Sequence, residues 1–374
     1  MTTLALPQIS NNLRPEQATS LRRWLWLCCL MVLCMIVVGG VTRLTHSGLS
    51  IVEWAPIVGT LPPLSEQDWL RAFTLYQGSP EYLQVNFGMT LEQFKPIFWW
   101  EWAHRLLGRL IGLSVLLPLL WFAWRGMLRG PLLGRLFGIA LLIGAQGAMG
   151  WYMVQSGLVD DPRVSQFRLT AHLSLAFVIL GSLLWSALDL LPDEAETNAQ
   201  AMSTGTRHVL RSVLAVVAWM IVTGGFVAGI RAGLAYNSFP LMNGQWIPDE
   251  ILLLEPWWKN FFWNMATVQF DHRLGAWLLA LLVPWLSWRV LHEPVTARAK
   301  LAVSLLLGML VIQIILGIST LLMRVPVALG AAHQGGAALL FMATLFAWHS
   351  LRRSGRQAVA ARPSAGPGDQ RPLY

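Results

Sequence analysis

Charged side chains are scarce in this chain: Asp, Glu, Lys and Arg make up 12% of its 374 residues, whereas a soluble domain carries roughly a quarter. A globule dissolved in water would expose far more charge, so the scarcity excludes water as the main solvent. Cysteine is nearly absent too. Its three copies, Cys28, Cys29 and Cys34, fall in one apolar run, which excludes a disulfide framework across the connecting segments and leaves no thiolates for a closed zinc site. A di-iron carboxylate centre needs several Glu-x-x-His motifs, and the apolar runs offer that motif once, at Glu101-Trp102-Ala103-His104. Residues 1–20 are poor in Arg and Ser and include Glu16, against a transit peptide, and no small-residue cleavage site follows the first run, which reads as a retained helix.

Hydrophobic residues, by contrast, reach 55%, with a mean hydropathy of +0.53. They recur in runs of about 20 residues, enough to cross ~30 Å of hydrocarbon. Eight such runs occur, near 24–43, 98–124, 133–155, 167–188, 210–230, 262–288, 301–323 and 328–350. The expected fold is therefore all-α: a polytopic protein of the lipid bilayer with eight transmembrane helices.

A net charge of +8 and a pI near 10 raise the question of nucleic acid, and the placement of the cations decides it. Arg22 and Arg23 precede the first run, Arg125, Arg129 and Arg135 join the second and third, and Arg207 and Arg211 precede the fifth. Arg289, Arg298 and Lys300 join the sixth and seventh, and Arg352, Arg353 and Arg356 follow the eighth. This alternation is the positive-inside pattern, which predicts cytoplasmic termini and needs no nucleic-acid partner. The opposite loop, 44–97, is long and carries Glu53, Glu66, Asp68, Glu81 and Glu92. Within it, Ser65 to Asp68 and Thr90 to Gln93 read as capping boxes opening two short helices, a lid along the outer surface. Trp99, Trp100, Trp102, Trp257, Trp258 and Trp263 cluster where indole rings anchor helices at a membrane boundary.

The chain also repeats itself. Gly39-Gly40-Val41 with Arg43 is echoed by Gly224-Gly225-Phe226 with Arg231, His104-Arg105-Leu106 by His272-Arg273-Leu274, and Ala171-His172 by Ala332-His333. Four runs per copy keep both copies in one orientation, giving two pseudo-symmetric four-helix bundles. The expected division is a cytoplasmic N-terminal segment 1–21, a first bundle 22–190 with the long loop 44–97, a linker 191–209, a second bundle 210–350, and a disordered cytoplasmic tail 351–374.

Four of the eight histidines, His104, His172, His272 and His333, fall inside apolar runs, each near the long-loop end of an even-numbered one. An imidazole in hydrocarbon should face a bundle interior and have a partner. Two imidazoles on facing helices can clamp a porphyrin iron from above and below, so four make two haem sites. The repeat argues for pairing His104 with His172 and His272 with His333; pairing across the halves is the alternative. Glu101 lies three residues before His104, about 60° around the helix and ~4.5 Å nearer the outer surface, with Gln269 at the matching place in the second half. A carboxyl there points to proton handling at a reacting haem in half one, against a permanent haem in half two. Arg105, Arg273, Arg43 and Arg231 are candidate partners for haem propionates.

Several long segments in order are similar to the heme A synthase family: Gly39-Gly-Val-Thr-Arg-Leu-Thr, Ser47-Gly-Leu-Ser-Ile-Val, Phe94-Lys-Pro-Ile-Phe leading into Glu101-Trp-Ala-His-Arg-Leu-Leu-Gly-Arg, Gly233-Leu-Ala-Tyr-Asn-Ser-Phe-Pro-Leu-Met-Asn-Gly and Thr267-Val-Gln-Phe-Asp-His-Arg. The resemblance runs from about Arg22 to Arg352 and is to the branch without cysteine pairs in the outer loops, which leaves no thiol-based step. It implies oxidation of the C8 methyl of heme O to the formyl of heme A for terminal oxidases, with heme O and its farnesyl chain as a lipid-soluble substrate. It implies His104 and His172 on the substrate haem iron, His272 and His333 on a cofactor heme b iron, and Glu101 as the important acid. The implied setting is the bacterial inner (plasma) membrane ahead of the mitochondrial inner membrane. The implied partners are an unidentified electron donor, with the heme O synthase and a second copy of the chain as candidates. The competing reading of the same histidines is a b-type cytochrome that only passes electrons from quinol.

Overall fold

The computed structural model describes residues 13–54, 58–159, 161–192, 194 and 200–360. Helix α1 (Pro15–Leu44) opens on a proline, whose missing N–H costs nothing in a first turn. The long loop holds α2 (Glu66–Gln77) and α3 (Pro80–Gln84). Then follow α4 (Leu91–Trp124), α5 (Gly130–Gln155), α6 (Gln166–Asp189), α7 (Thr204–Gly229), the single turn α8 (Asn260–Trp263), α9 (Met265–Leu291), α10 (Ala297–Leu322) and α11 (Val327–Ala360). Among the described residues eight helices, α1, α4 to α7 and α9 to α11, are long and apolar enough to cross a membrane. The expected eight-helix polytopic fold is the one observed.

Side-chain caps set several helix starts. Ser203, Asn264 and Thr296 accept N–H groups at the heads of α7, α9 and α10, satisfying donors that a helix cannot satisfy itself. The Ser65 box also forms: Asp68 N donates to Ser65 Oγ at 3.1 Å while Ser65 N donates to the Asp68 carboxylate at 3.1 Å. The Thr90 box forms as well, but it opens α4 itself rather than a separate lid helix. The reason is packing. Phe94 and Phe98 share a face of α4 and bury against the lid, Phe94 stacking on Tyr76 at 5.0 Å, so the helix continues past the membrane boundary expected near residue 98.

At the other end α11 continues beyond 350, where disorder was expected, as far as Ala360. Leu351 and Ser354 are buried there, and Ser354 Oγ accepts from Thr296 N and donates to Gln200 O, tying the helix to neighbouring connections. The rest of the expected tail, 361–374, and residues 1–12 of the N-terminal segment lie outside the described residues.

Two apolar cores form. One joins α1, α4, α5 and α6 through residues such as Leu25, Leu119, Leu136 and Leu183, and the other joins α7, α9, α10 and α11 through Val213, Val283, Val303 and Leu340. The first helix of each half packs on the last helix of the other, α1 on α11 and α7 on α6. Gly40 and Gly225 permit this: a Cβ on them would meet Gln334 and Thr170 at 2.9 and 2.8 Å.

At the long-loop ends of α1 and α7 two contacts join the halves. Arg43 donates to Ala228 O, and Arg231 Nη2 lies 3.2 Å from His46 Nδ1; in both the partners are 185 residues apart. The offset of 185 that takes Gly39 to Gly224 also takes Arg43 to Ala228 and His46 to Arg231, so each contact joins equivalent positions of the repeat. Sequence comparison had matched the two arginines to each other. His46 and Arg231 confirm their equivalence by backbone: both follow a helix end in the left-handed region, at φ 55° and 57°. At the short-loop face Asp189 accepts from Arg135 at 2.5 Å and from His349 at 3.1 Å, bridging α5, α6 and α11.

Candidate functional site

The histidines lie within about two turns of the long-loop ends of α6, α9 and α11, and deeper in α4, which starts earlier than expected. In the second half the rings of His272 and His333 oppose one another at 6.4 Å between centroids, with planes at 80°. Two imidazoles bonded at ~2 Å to one metal between them place their ring centres about 6 Å apart, so this spacing fits a shared iron. In the first half His172 is near enough to His104 to act on its charge.

Each ring rests over a glycine of the preceding long helix. A Cβ on Gly39 would come within 3.2 Å of His104, on Gly150 within 3.1 Å of His172, on Gly224 within 3.2 Å of His272 and on Gly317 within 2.9 Å of His333. Any larger residue would fill the cradle, so the backbone has been kept bare where the rings need room. This pattern of four is absent from the sequence reading, although the repeat aligns Gly39 with Gly224 and Gly150 with Gly317.

Two glutamines complete the pattern, also missed from sequence. Gln146 Nε2 donates to the His172 carbonyl at 3.0 Å and lies 3.3 Å from its Nε2; Gln313 Nε2 donates to the His333 carbonyl at 3.0 Å and lies 3.1 Å from its Nδ1. Thr223 Oγ1 lies 3.0 Å from His272 Nδ1. In His172, His272 and His333 one ring nitrogen thus has a polar partner, and His172 Nδ1 is buried with no partner at all. A buried imidazole nitrogen without a hydrogen bond is expected of a metal ligand. The donor set, bare cradles and second partners all fit haem.

Glu101 is 3% exposed and fully engaged. Arg105 donates to its Oε1 from Nε at 3.1 Å and Nη2 at 2.7 Å, while Ser50 Oγ and Ile51 N each donate to Oε2 at 2.7 Å. Arg105 also gathers the loop carbonyls of Ile51 and Glu53 at 2.6 and 3.0 Å. In the second half Gln269 takes the same place: its Oε1 accepts from Arg273 at 2.9 Å and its Nε2 donates to Ala232 O at 2.7 Å. Arg273 gathers the carbonyls of Tyr236 and Ser238 at 2.9 Å and of Pro240 at 3.3 Å. Glu and Gln therefore differ because the loop offers an N–H in one half and a carbonyl in the other. Both arginines next to a histidine clamp the outer loops, and Arg273 Nε stays buried without a partner.

The other two arginines meet between the bundles. Arg43 is committed to Ala228 O and Arg231 to His46. Burial first, then the Arg231 and Arg43 charges, hold His46 below the ordinary histidine range.

A family model described as cytochrome oxidase assembly protein matches residues 22–345. Curated relatives agree with it. A heme A synthase of Nitrosospira multiformis is 58% identical over 332 residues, 88% of this chain and 93% of the relative. Heme A synthases of Nitrosomonas eutropha and Parvibaculum lavamentivorans are 51% and 46% identical, over 88% of this chain and 92% and 94% of their own lengths.

Proposed function

The chain belongs to the cytochrome oxidase assembly protein family, and from that premise we propose that it is a heme A synthase of the bacterial plasma membrane. The reaction is oxidation of the C8 methyl of heme O to a formyl. Heme O binds in the first bundle between His104 and His172, and a resident heme b sits between His272 and His333. The observation that supports this most is the fourfold unit of imidazole over bare glycine, backed in each half by Gln146 or Gln313. Relatives named for the synthase reaction favour it over a cytochrome that only passes electrons.

When bound, the porphyrin iron supplies the one-electron redox chemistry. The protein's part is to hold it. The glycine cradles let the imidazoles stand upright, and the glutamine amides fix the ring orientation. Arg273, with its unpartnered Nε, is placed to donate to a propionate, and Arg105, Arg43 and Arg231 line the same outer level. Glu101 accepts from four donors, so its role is a fixed acceptor beside the substrate edge that ties Arg105 and the lid together. The basic residues at the short-loop ends favour a cytoplasmic setting for that face and both termini, with the lid outside.

The test is expression in a host that makes heme O and lacks its own synthase, followed by extraction of the haem and identification by mass and absorption. Heme A is the expected product; heme O and heme b alone would leave only the cytochrome reading. Glu101→Ala is expected to keep bound haem and lose the formyl product, and His272→Ala to lose the second haem's absorbance.

A further inference from the structure

The lid holds a second buried carboxyl that the reading above does not use. Glu81, in α3, is 5% exposed although its segment lies outside the membrane-spanning helices. Tyr76, fully buried, lies beside the carboxyl, and its hydroxyl accepts from Asn86 Nδ2 at 2.7 Å. Glu81 Oε2 is shut off from solvent and has no partner. A bare carboxylate oxygen in that position is costly, whereas a protonated one carries a hydrogen it can give up.

Three ionisable groups face this carboxyl: Tyr76 from α2, Glu101 from α4 and Arg231 from the connection after α7. Burial, and then the Glu101 charge, push Glu81 up to about 7, against the pull of Tyr76 and Arg231. Glu101 differs in kind, because donors fill both of its oxygens and no position is left for a travelling proton.

We propose that Glu81 is the proton-exchanging group of the lid, passing protons between the first-bundle site and the water above it while Glu101 stays a fixed acceptor. The proposal rests on the synthase reading, since converting a methyl to a formyl moves protons across the lid whichever species supplies the oxygen. In each exchange the O–H bond on Glu81 breaks and its proton passes to the water above the lid, and the carboxylate is then reprotonated by a proton released at the first-bundle site. No electron moves, and the side chain alternates between neutral and singly negative.

The experiment uses full-length protein in lipid nanodiscs, with infrared difference titration and initial rates of formyl production measured from about pH 5.5 to 9, a range that brackets the carboxyl's shifted value. In the wild type a carboxyl C=O band is expected to titrate near pH 7, and the rate to show an inflection there. Glu81→Gln keeps the shape and the Tyr76 contact but cannot titrate. It is expected to lose that band and the inflection, and to slow formyl production by at least about 100-fold, the low side of acid–base effects. Glu81→Asp should restore part of the rate together with an inflection, and Tyr76→Phe should displace the inflection without abolishing it. The proposal is overturned if Glu81→Gln keeps the wild-type rate and pH profile, if it is slow with the inflection intact, or if the titrating band persists in it. Wild-type protein that makes no formyl at any pH would instead sink the synthase reading, and the infrared titration would still decide whether Glu81 exchanges its proton. Second-bundle haem absorbance reports folding in every variant.

Discussion

Replacing Gly317 with alanine tests the cradle directly. The new Cβ would stand 2.9 Å from His333 Cε1 and 3.4 Å from Nδ1, where ordinary carbon contacts lie at about 3.5–4.0 Å. The ring must therefore retreat by roughly 0.6 Å, while ligand distances in a metal site tolerate only ~0.2 Å. Gln313 grips the same histidine at its carbonyl and at Nδ1, so the ring cannot simply turn aside. The helix itself should not suffer, because alanine is better than glycine in a helix interior by about 1 kcal/mol. Gly308 supplies the control, since a Cβ there meets nothing within 4 Å. Gly317→Ala should bind the second-bundle haem about 10–100-fold more weakly, the usual cost of disturbing a ligand's support, with an unfolding temperature no lower than that of Gly308→Ala. Gly224→Ala, with its contact at 3.2 Å, should lose less. The assay is the ratio of haem to protein absorbance in purified full-length protein, beside thermal denaturation. Equal haem content and spectra in Gly317→Ala and Gly308→Ala would refute the reasoning.

Gln313→Leu removes the amide at His333 and should weaken second-bundle haem retention by about 10–100-fold, whereas Gln146→Leu should spare that haem and lower only substrate turnover; identical losses of resident haem in the two variants would contradict the division between bundles. Lid closure should depend on pH through Glu81. Its value is raised from an ordinary 4.5 to about 7 by burial first and Glu101 second, so between those pH values the closed lid binds more protons than an opened one. The stabilisation is fully present below about pH 4.5 and is lost as pH rises through about 7, a difference on the order of 3 kcal/mol. Hydrogen exchange of residues 66–86 should therefore quicken toward alkaline pH beyond the intrinsic chemical rate, and a flat protection profile would rule this out.

Much of this was legible because a bilayer is a severe solvent: a helix crossing it must be a long apolar run, and polar residues inside such a run stand out. The four histidines stood out for that reason. The helix ends were less visible, because they depend on partners remote in sequence. Phe94 and Phe98 extend α4 by meeting Tyr76, and Ser354 extends α11 by meeting Thr296 and Gln200. Glycines in apolar helices attract no notice singly, and only the repeat, applied to Gly150 with Gly317 and Gln146 with Gln313, could have raised them. Glu81 had no such signal. Its burial follows from α2 and α3 folding back over α4, which no local pattern announces. The acceptor role of Glu101 was equally hidden, since Ser50 and Ile51 lie 51 and 50 residues away.

The two halves close their outer ends by one device applied with different force. In each, the arginine that follows a histidine reaches up to the loop above and is braced by the Glu or Gln four residues before it. In the second half Arg273 holds the carbonyls of Tyr236, Ser238, Pro240 and Leu241, and its brace Gln269 is neutral, so nothing in this clasp changes charge with pH. In the first half Arg105 holds only Ile51 and Glu53, its brace is a carboxylate, and a second carboxyl, Glu81, is packed within reach of that charge. Hydrogen bonds between neutral groups and a half-buried arginine keep their worth across the physiological range, whereas two nearby carboxyls repel once both ionise. The second cap is thus built to stay shut across the pH range, and the first to loosen when one proton leaves. Such a difference suits the proposed division, in which one bundle keeps its haem through every turnover while the other admits a substrate and releases a product of nearly the same size.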